Sequence, residues 1–109
     1  LDYINFHKKL IKYLNNKLLE SNKQIFLFGA HIFSQYLINF GLKTKKIIYI
    51  LDNDKKKQNK RLYGTNLFVR SPKILQSYKS PLIILKAAVY SKEIKEDIVK
   101  NINNNAKFI

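Results

Sequence analysis

The chain has 109 residues, which fits a single domain around one hydrophobic core. It contains no cysteine, so disulfides, thiolate metal sites and cysteine nucleophiles are excluded. The formal net charge is +14, but 19 of the 21 cations are lysine, whereas base-edge recognition in nucleic acids relies mainly on arginine. Nucleic-acid binding is therefore the weaker interpretation of the charge, beside solvated lysine-rich faces.

No leader or membrane segment is visible in the sequence. The first residue is Leu1, and no secretory signal precedes the first periodic segment, so we expect a cytoplasmic piece of a longer protein. No apolar run approaches the roughly 18 residues that a membrane span needs. We therefore expect a soluble domain without a membrane partner.

The chain begins with a predicted amphipathic helix over residues 2–20, because apolar side chains recur there every three or four positions. Residues 24–28 form an apolar run and predict a strand buried on both faces. A second helix is expected from about Ala30 until Gly41, which supplies a stop. The apolar stripe of the first helix is Tyr3, Phe6, Leu10, Tyr13, Leu14 and Leu18.

The middle of the chain predicts two strands separated by a loop. Residues 46–51 predict a second buried strand. The polar, basic residues 54–65 show neither the periodicity of a helix nor that of a strand, and they predict a loop. Residues 66–69 predict a brief third strand. A short helix over 72–78 is expected next, because Ser71 is a good N-cap and proline follows it.

The last third repeats the alternation of strand and helix. Residues 82–85 predict another buried strand, a helix is expected from about Ser91, and residues 106–109 predict a last strand. Ile94, Ile98 and Ile102 form the apolar line of this helix. The order of elements predicts an α/β fold, namely a Rossmann-like open, mainly parallel sheet of four or five strands with helices on both faces.

In such sheets, ligands bind at the carboxyl ends of the strands, where successive connections leave in opposite directions. Three stretches should meet there, namely 29–33, 52–54 and 86–90. The sequence shows no Ser/His/Asp arrangement, P-loop or aromatic stacking platform, and no catalytic or metal-binding residue is predicted. The candidate ligand-binding residues are Gly29, Ala30, His31, Ile32, Phe33, Asp52, Asn53, Asp54, Lys86 and Tyr90.

The turn after the first strand has one glycine, Gly29, while His31 and Ser34 hold the other two glycine positions of a dinucleotide-binding turn. Tight binding of NAD or SAM by this chain is therefore not expected. Two interpretations of His31 stay open. It either contacts a phosphate or transfers protons near neutral pH, or it is a polar residue at a helix start.

The charged candidates also have more than one interpretation each. Asp52 follows Gly29 by about the 20 residues that separate the glycine turn from a ribose-binding carboxylate. Alternatively, Asp52 and Asp54 satisfy backbone amides in a turn, or they are paired carboxylates for a metal ion or for acid-base chemistry. The lysines of residues 55–57 are either a solvated loop or a lid over a phosphate, and Lys86 points either toward a ligand or toward water.

These motifs, taken in order, resemble the C-terminal Rossmann-like domain of the SAM-dependent sugar C-methyltransferases, which act on nucleotide-linked deoxysugars. The resemblance runs from about Leu10 to Ile109, and its weight rests on the order and spacing of short motifs. Those motifs are Gly29-Ala30, Asp52, Lys57-Gln58, Gly64-Thr65, Val69 with Ser71-Pro72, and Glu93-Ile94.

The resemblance implies an accessory or substrate-binding domain without its own catalytic centre. SAM and the catalytic residues are expected in a preceding domain of the same chain, and the fragment itself is expected to hold no cofactor. A nucleotide sugar is the implied ligand, bound weakly. The family usually has glycine at the positions of His31 and Asn59 and proline at the position of Tyr63.

Related Rossmann-like modules also occur in other sugar-modifying enzymes, such as sugar acetyltransferases, so a nucleotide-sugar-binding module of that kind is the alternative. A homo-oligomer stays open too, because the stripe of the first helix is able to pack against a second copy in the isolated domain.

Overall fold

Helices and strands alternate along the chain. The computed structural model describes residues 2–39, 41–86 and 90–109, without the side chains of residues 2–4, 32 and 33. The helices are α1 (Asp2–Glu20), α2 (Ile32–Asn39) and α3 (Ser91–Asn101). The strands are β1 (Ile25–Phe28), β2 (Ile47–Leu51), β3 (Val69–Arg70), β4 (Leu82–Ile84) and β5 (Lys107–Phe108).

The strands form one parallel sheet in the order β3-β2-β1-β4-β5. β1 is central, since Ile25 pairs with Ile47 of β2 on one side and with Leu82 of β4 on the other. The chain leaves β1 and β4 toward opposite edges of the sheet, so a switch point lies between their carboxyl ends. The predicted α/β, Rossmann-like class is confirmed.

Both faces of the sheet are covered, as predicted. Along β1, Ile25 and Leu27 pack on one face, while Phe26 and Phe28 pack on the other. The first face is covered by α1 and α2, and the second by α3 and a 3-10 helix over Pro72–Ser77. β1 and β4 are buried over their full length, which explains their continuous apolar sequence.

The buried face of α1 differs from the predicted stripe. Its buried line is His7, Ile11, Leu14 and Leu18. Phe6 is 61% exposed and Tyr13 is also exposed, so the prediction was wrong for both. The side chain of Tyr3 lies outside the described residues. Two rows of side chains run along this helix, one through Phe6 and the other through His7, and both include Leu14 and Leu18. Contacts with the sheet and with α2 bury the row that contains His7.

The third strand begins later than predicted. β3 is Val69–Arg70 rather than residues 66–69, because the chain first makes a turn in which the Leu62 carbonyl accepts hydrogen bonds from Thr65. Phe68 forms an antiparallel bridge with Arg61 before β3 starts. β3 pairs with Ile50 and Leu51 at the end of β2. Ile48 of β2 lies where the register with β1 shifts and is exposed, although a buried strand was predicted.

The segment after β3 forms a 3-10 helix, Pro72–Ser77. It begins as predicted, with the Ser71 hydroxyl accepting a hydrogen bond from the Lys73 amide at 3.2 Å. At its end, the Asn103 side-chain amide donates to the carbonyls of Leu75, at 2.8 Å, and Tyr78, at 2.6 Å. This asparagine thereby ties the chain after α3 to the end of the 3-10 helix.

Candidate functional site

A cleft of about 980 Å³ opens at the carboxyl ends of β1, β2 and β4. Its size is at the upper end of the roughly 300–1,000 Å³ of small-molecule sites, and it lies at the switch point of the sheet. Its wall is mostly apolar, with charged groups from three different elements. The lining residues are Phe6, Leu10, Phe28, Gly29, His31, Asp52, Leu85, Lys86, Tyr90, Ser91, Ile94 and Lys95.

The cleft brings together residues from all three predicted stretches, although ligand binding by them stays a prediction. Candidates that line it are Gly29, His31, Asp52, Lys86 and Tyr90. The other candidates are Ala30, Asn53 and Asp54, which do not line it, and Ile32 and Phe33, whose backbone begins α2 and whose side chains are not described. Residues 87–89 of the third stretch lie outside the described residues.

Two walls of the cleft consist of residues that were not predicted from the sequence. Phe6 and Leu10 of α1 form one wall, because the first half of this helix crosses the carboxyl edge of the sheet. Ser91, Ile94 and Lys95 of α3 form another. Their spacing of three and four residues places them on one face of a helix that follows β4, and this signal is present in the sequence.

The turn after β1 is shaped by Gly29 and filled by His31. Gly29 has φ 107°, and its amide donates to the Leu51 carbonyl at 2.7 Å. The His31 imidazole folds back over Gly29, with Nε2 inside the volume that a Cβ on Gly29 would take. The second glycine of a dinucleotide-binding turn lets the backbone approach pyrophosphate. In this chain, an imidazole occupies that approach.

The ring of His31 favours its neutral form. Partial burial lowers the pKa of His31 below the ordinary value of 6.5, the nearby Lys57 ammonium lowers it further, and the Asp52 carboxylate partly opposes both. The imidazole is therefore mostly uncharged at pH 7. A neutral ring supplies no formal charge to attract a phosphate.

Replacing Lys57 by glutamine is expected to raise the pKa of His31, because the change removes a nearby positive charge. An NMR titration of the His31 ring protons measures this value, and Lys60→Gln, in the same loop, is the control. An unchanged or lower pKa of His31 in Lys57→Gln contradicts the proposed charge effect.

The lowered pKa of His31 also makes stability depend on pH. At pH values between the folded-state pKa of His31 and 6.5, the unfolded chain binds more protons than the folded chain. The contribution of His31 to the free energy of unfolding is therefore complete above pH 6.5 and is lost as the pH falls through the folded-state pKa.

Asp52 joins the two loops that flank the cleft. Its Oδ2 accepts a hydrogen bond from the Ala30 amide at 2.8 Å, and its Oδ1 accepts one from the Asp54 amide at 2.8 Å. Its own amide donates to the Arg70 carbonyl at 3.1 Å. Both carboxylate oxygens are therefore engaged with backbone amides, which is the turn interpretation of this aspartate. α2 begins at Ile32, two residues later than predicted.

The backbone at Gly29 and Ala30 differs from the open phosphate position of a dinucleotide-binding turn. The amides of Gly29 and Ala30 already have partners, and His31 occupies the approach to Gly29.

Across residues 2–39, 41–86 and 90–109, no group of three or more histidine, aspartate or glutamate side chains is placed to hold a metal ion. In the same ranges, no helix is long and apolar enough to cross a membrane.

The loop after β2 folds back onto the end of that strand. The Gln58 side-chain amide donates to the Asp52 carbonyl at 2.8 Å, and the Asn59 amide donates to the Val69 carbonyl at 2.7 Å. Asn59 has φ 62°, in the left-handed region where glycine is favoured and asparagine is tolerated. Asparagine therefore preserves the loop at a position where glycine was expected from the family resemblance.

The sheet order and the cleft at its switch point define an α/β domain of the Rossmann-like type. Residues 2–109 match the family described as the C-methyltransferase C-terminal domain, and the chain belongs to this family. The resemblance stated from the motifs is thereby confirmed. No curated protein and no solved structure matched the chain.

Replacing Asn59 by alanine is expected to lower the free energy of unfolding by about 1 kcal/mol, because alanine keeps the Cβ that strains the left-handed backbone but lacks the polar side chain that lets asparagine tolerate this conformation. Asn59→Gly relieves that strain and should remain closer to the wild type, although both variants lose the bond from Arg70 Nη1 to Asn59 Oδ1. Urea denaturation measures the difference, with Asn66→Ala in the same loop as control. Equal losses in Asn59→Ala and Asn59→Gly would assign the effect to the Arg70 bond instead.

Proposed function

We propose that this chain is the accessory, substrate-binding domain of a SAM-dependent methyltransferase that acts on nucleotide-linked sugars. Membership of the C-methyltransferase C-terminal domain family supports the methyltransferase part of this proposal. The observation that carries the substrate-binding part is the cleft at the switch point, which combines apolar walls with two lysines. The methyl donor and the catalytic groups are assigned to a preceding domain, which is the proposed partner of this one in a cytoplasmic enzyme.

The chemistry of the cleft suits the parts of a nucleotide sugar. Phe6 and Tyr90 are exposed aromatic side chains in its wall, and a base stacks favourably on such rings. Lys86 and Lys95 supply positive charge for phosphates. The remaining wall is largely apolar, through residues such as Ile94, and it excludes water from the bound molecule.

A nucleotide-sugar module of an acetyltransferase would need the same cleft chemistry, and family membership favours the methyltransferase. The net charge of +14 motivates nucleic-acid binding as the other alternative. Binding to generic DNA that weakens steeply with added salt would support that alternative.

Titration of the 15N-labelled chain with UDP-glucose or dTDP-glucose tests the proposal. We expect saturable shifts of the amides of Gly29, Asp52 and Lys86 at millimolar ligand, together with those of Tyr90 and Ile94. Absence of any shift at millimolar concentrations of both ligands would contradict a substrate-binding role.

Two exposed tyrosines provide a matched pair of variants. Tyr90→Ala removes an aromatic ring from the cleft wall and is expected to weaken nucleotide-sugar binding by about tenfold. Tyr63→Ala removes an equally large exposed ring outside the cleft and should leave the affinity unchanged. Equal effects of the two substitutions would show that binding is not localised in the cleft.

A further inference from the structure

The cleft has two sides that differ in what they offer to an anion. On the β1–α2 side, the turn that holds a diphosphate in a dinucleotide-binding domain contains the His31 ring. This ring fills the space directly over Gly29, and burial and the Lys57 charge keep it mostly neutral by lowering its pKa. A phosphate reaching the Gly29 backbone would have to displace the ring.

The backbone amides of Gly29 and Ala30 are also engaged. The Gly29 amide donates to the Leu51 carbonyl at 2.7 Å, and the Ala30 amide donates to Asp52 Oδ2 at 2.8 Å. The carboxylate of Asp52 lies beside the turn and repels a second anion there. At Gly29 and Ala30, the β1–α2 side therefore offers a phosphate an occupied space, amides that already have partners and a neighbouring carboxylate. The positive charge near this side is the Lys57 ammonium, close to the His31 ring.

The β4–α3 side of the cleft has the opposite properties. Lys86 follows the buried strand β4, is half-buried and lines the cleft. Lys95 of α3 lines the same cleft, and its ammonium lies 5.7 Å from the centre of the Phe108 ring, which positions it. Among the described lining residues, Asp52 is the one carboxylate, and its two oxygens already accept backbone hydrogen bonds.

We infer that the diphosphate of the ligand binds to Lys86 and Lys95 on the β4–α3 side of the cleft, and not to the glycine turn after β1. This inference rests on the proposed function, because it concerns how the same cleft holds a nucleotide sugar. It assigns His31 the role of closing the conventional phosphate position.

Affinities for UDP and for uridine, measured by NMR titration, separate the phosphate contribution from that of the base. The Lys86→Gln, Lys95→Gln double variant is expected to weaken UDP binding by about tenfold or more, through loss of charge-assisted hydrogen bonds, and to leave uridine binding unchanged. Lys79→Gln, Lys100→Gln, a double variant of the same charge outside the cleft, is the control for net charge.

His31→Gly opens the space over Gly29 and tests the other half of the inference. We expect this variant to bind UDP at least as tightly as the wild type, because the imidazole contributes no contact to the diphosphate. A loss of UDP affinity in His31→Gly, with wild-type affinity in the Lys86 and Lys95 double variant, overturns the inference while the proposed function stands. Equal weakening by the two lysine double variants also overturns it, since binding then follows net charge. Failure of the wild-type chain to bind UDP, uridine and UDP-glucose overturns the inference and the proposed function together.

Discussion

Replacing Asp52 by alanine is expected to lower the free energy of unfolding by about 3 kcal/mol, because two charge-assisted hydrogen bonds to backbone amides are lost. The Ala30 amide belongs to a buried residue, and without Asp52 Oδ2 it loses its partner. The substitution also frees the turn after β1 from the loop after β2. Urea denaturation followed by circular dichroism measures the loss of stability.

Asp54→Ala is the matched control, because this exposed carboxylate accepts one hydrogen bond, from the Lys56 amide at 3.0 Å. Its loss is expected to cost under about 1 kcal/mol. Similar losses in Asp52→Ala and Asp54→Ala would contradict the joining role of Asp52, since that role depends on the bond to Ala30.

Replacing Leu14 by alanine is expected to lower the free energy of unfolding by about 2–5 kcal/mol, because this side chain is 0% exposed and its removal leaves a cavity between α1 and the sheet. Leu19 lies on the same helix but is 66% exposed, so Leu19→Ala should cost under about 0.5 kcal/mol. Thermal or urea unfolding of the two variants gives the comparison. Equal effects would mean that α1 does not pack on the sheet through the face containing Leu14.

The central sheet was predictable because burial on both faces leaves a simple signal. β1 and β4 lie in the middle of the sheet, and each therefore reads as a short apolar run between polar segments. The alternation of these runs with helical periods indicates parallel pairing, because a parallel crossover needs room for a helix. The predicted order of elements was confirmed on this basis.

The errors fall where tertiary contacts choose between local alternatives. The sequence of α1 contains two overlapping apolar lines, and its period does not reveal whether Phe6 or His7 faces inward. For β3, the apolar residues at 67 and 68 suggested an earlier start, but hydrogen bonds of Thr65 and pairing of Arg61 with Phe68 use this segment as a turn. Neither choice is encoded in the spacing of apolar residues alone.

The candidate site was partly predictable for a topological reason. Gly29, Asp52 and Lys86 follow three parallel strands, and the carboxyl ends of such strands share one edge of the sheet. The contribution of Phe6 was not predictable, because it depends on where α1 crosses that edge. The orientation of His31 over Gly29 likewise depends on side-chain packing, which the sequence does not specify.

Several family motifs stabilise loops in this chain. Gln58 donates to the end of β2, Thr65 stabilises the turn before β3, and Ser71 caps the following 3-10 helix. Other motif residues line the cleft itself, namely Gly29, Asp52 and Ile94, whereas the two lysines of its wall, Lys86 and Lys95, lie outside the motifs. The family motifs therefore identify the domain and part of the cleft wall, but not the positive charges of the cleft.

A crystal structure of the chain with UDP tests the central claim most directly, because it locates the diphosphate relative to the two sides of the cleft. We predict phosphate oxygens within hydrogen-bond distance of the Lys86 and Lys95 ammonium groups, with the His31 ring still over Gly29. Phosphates bound to the backbone at the start of α2, with the His31 ring displaced, would contradict the account.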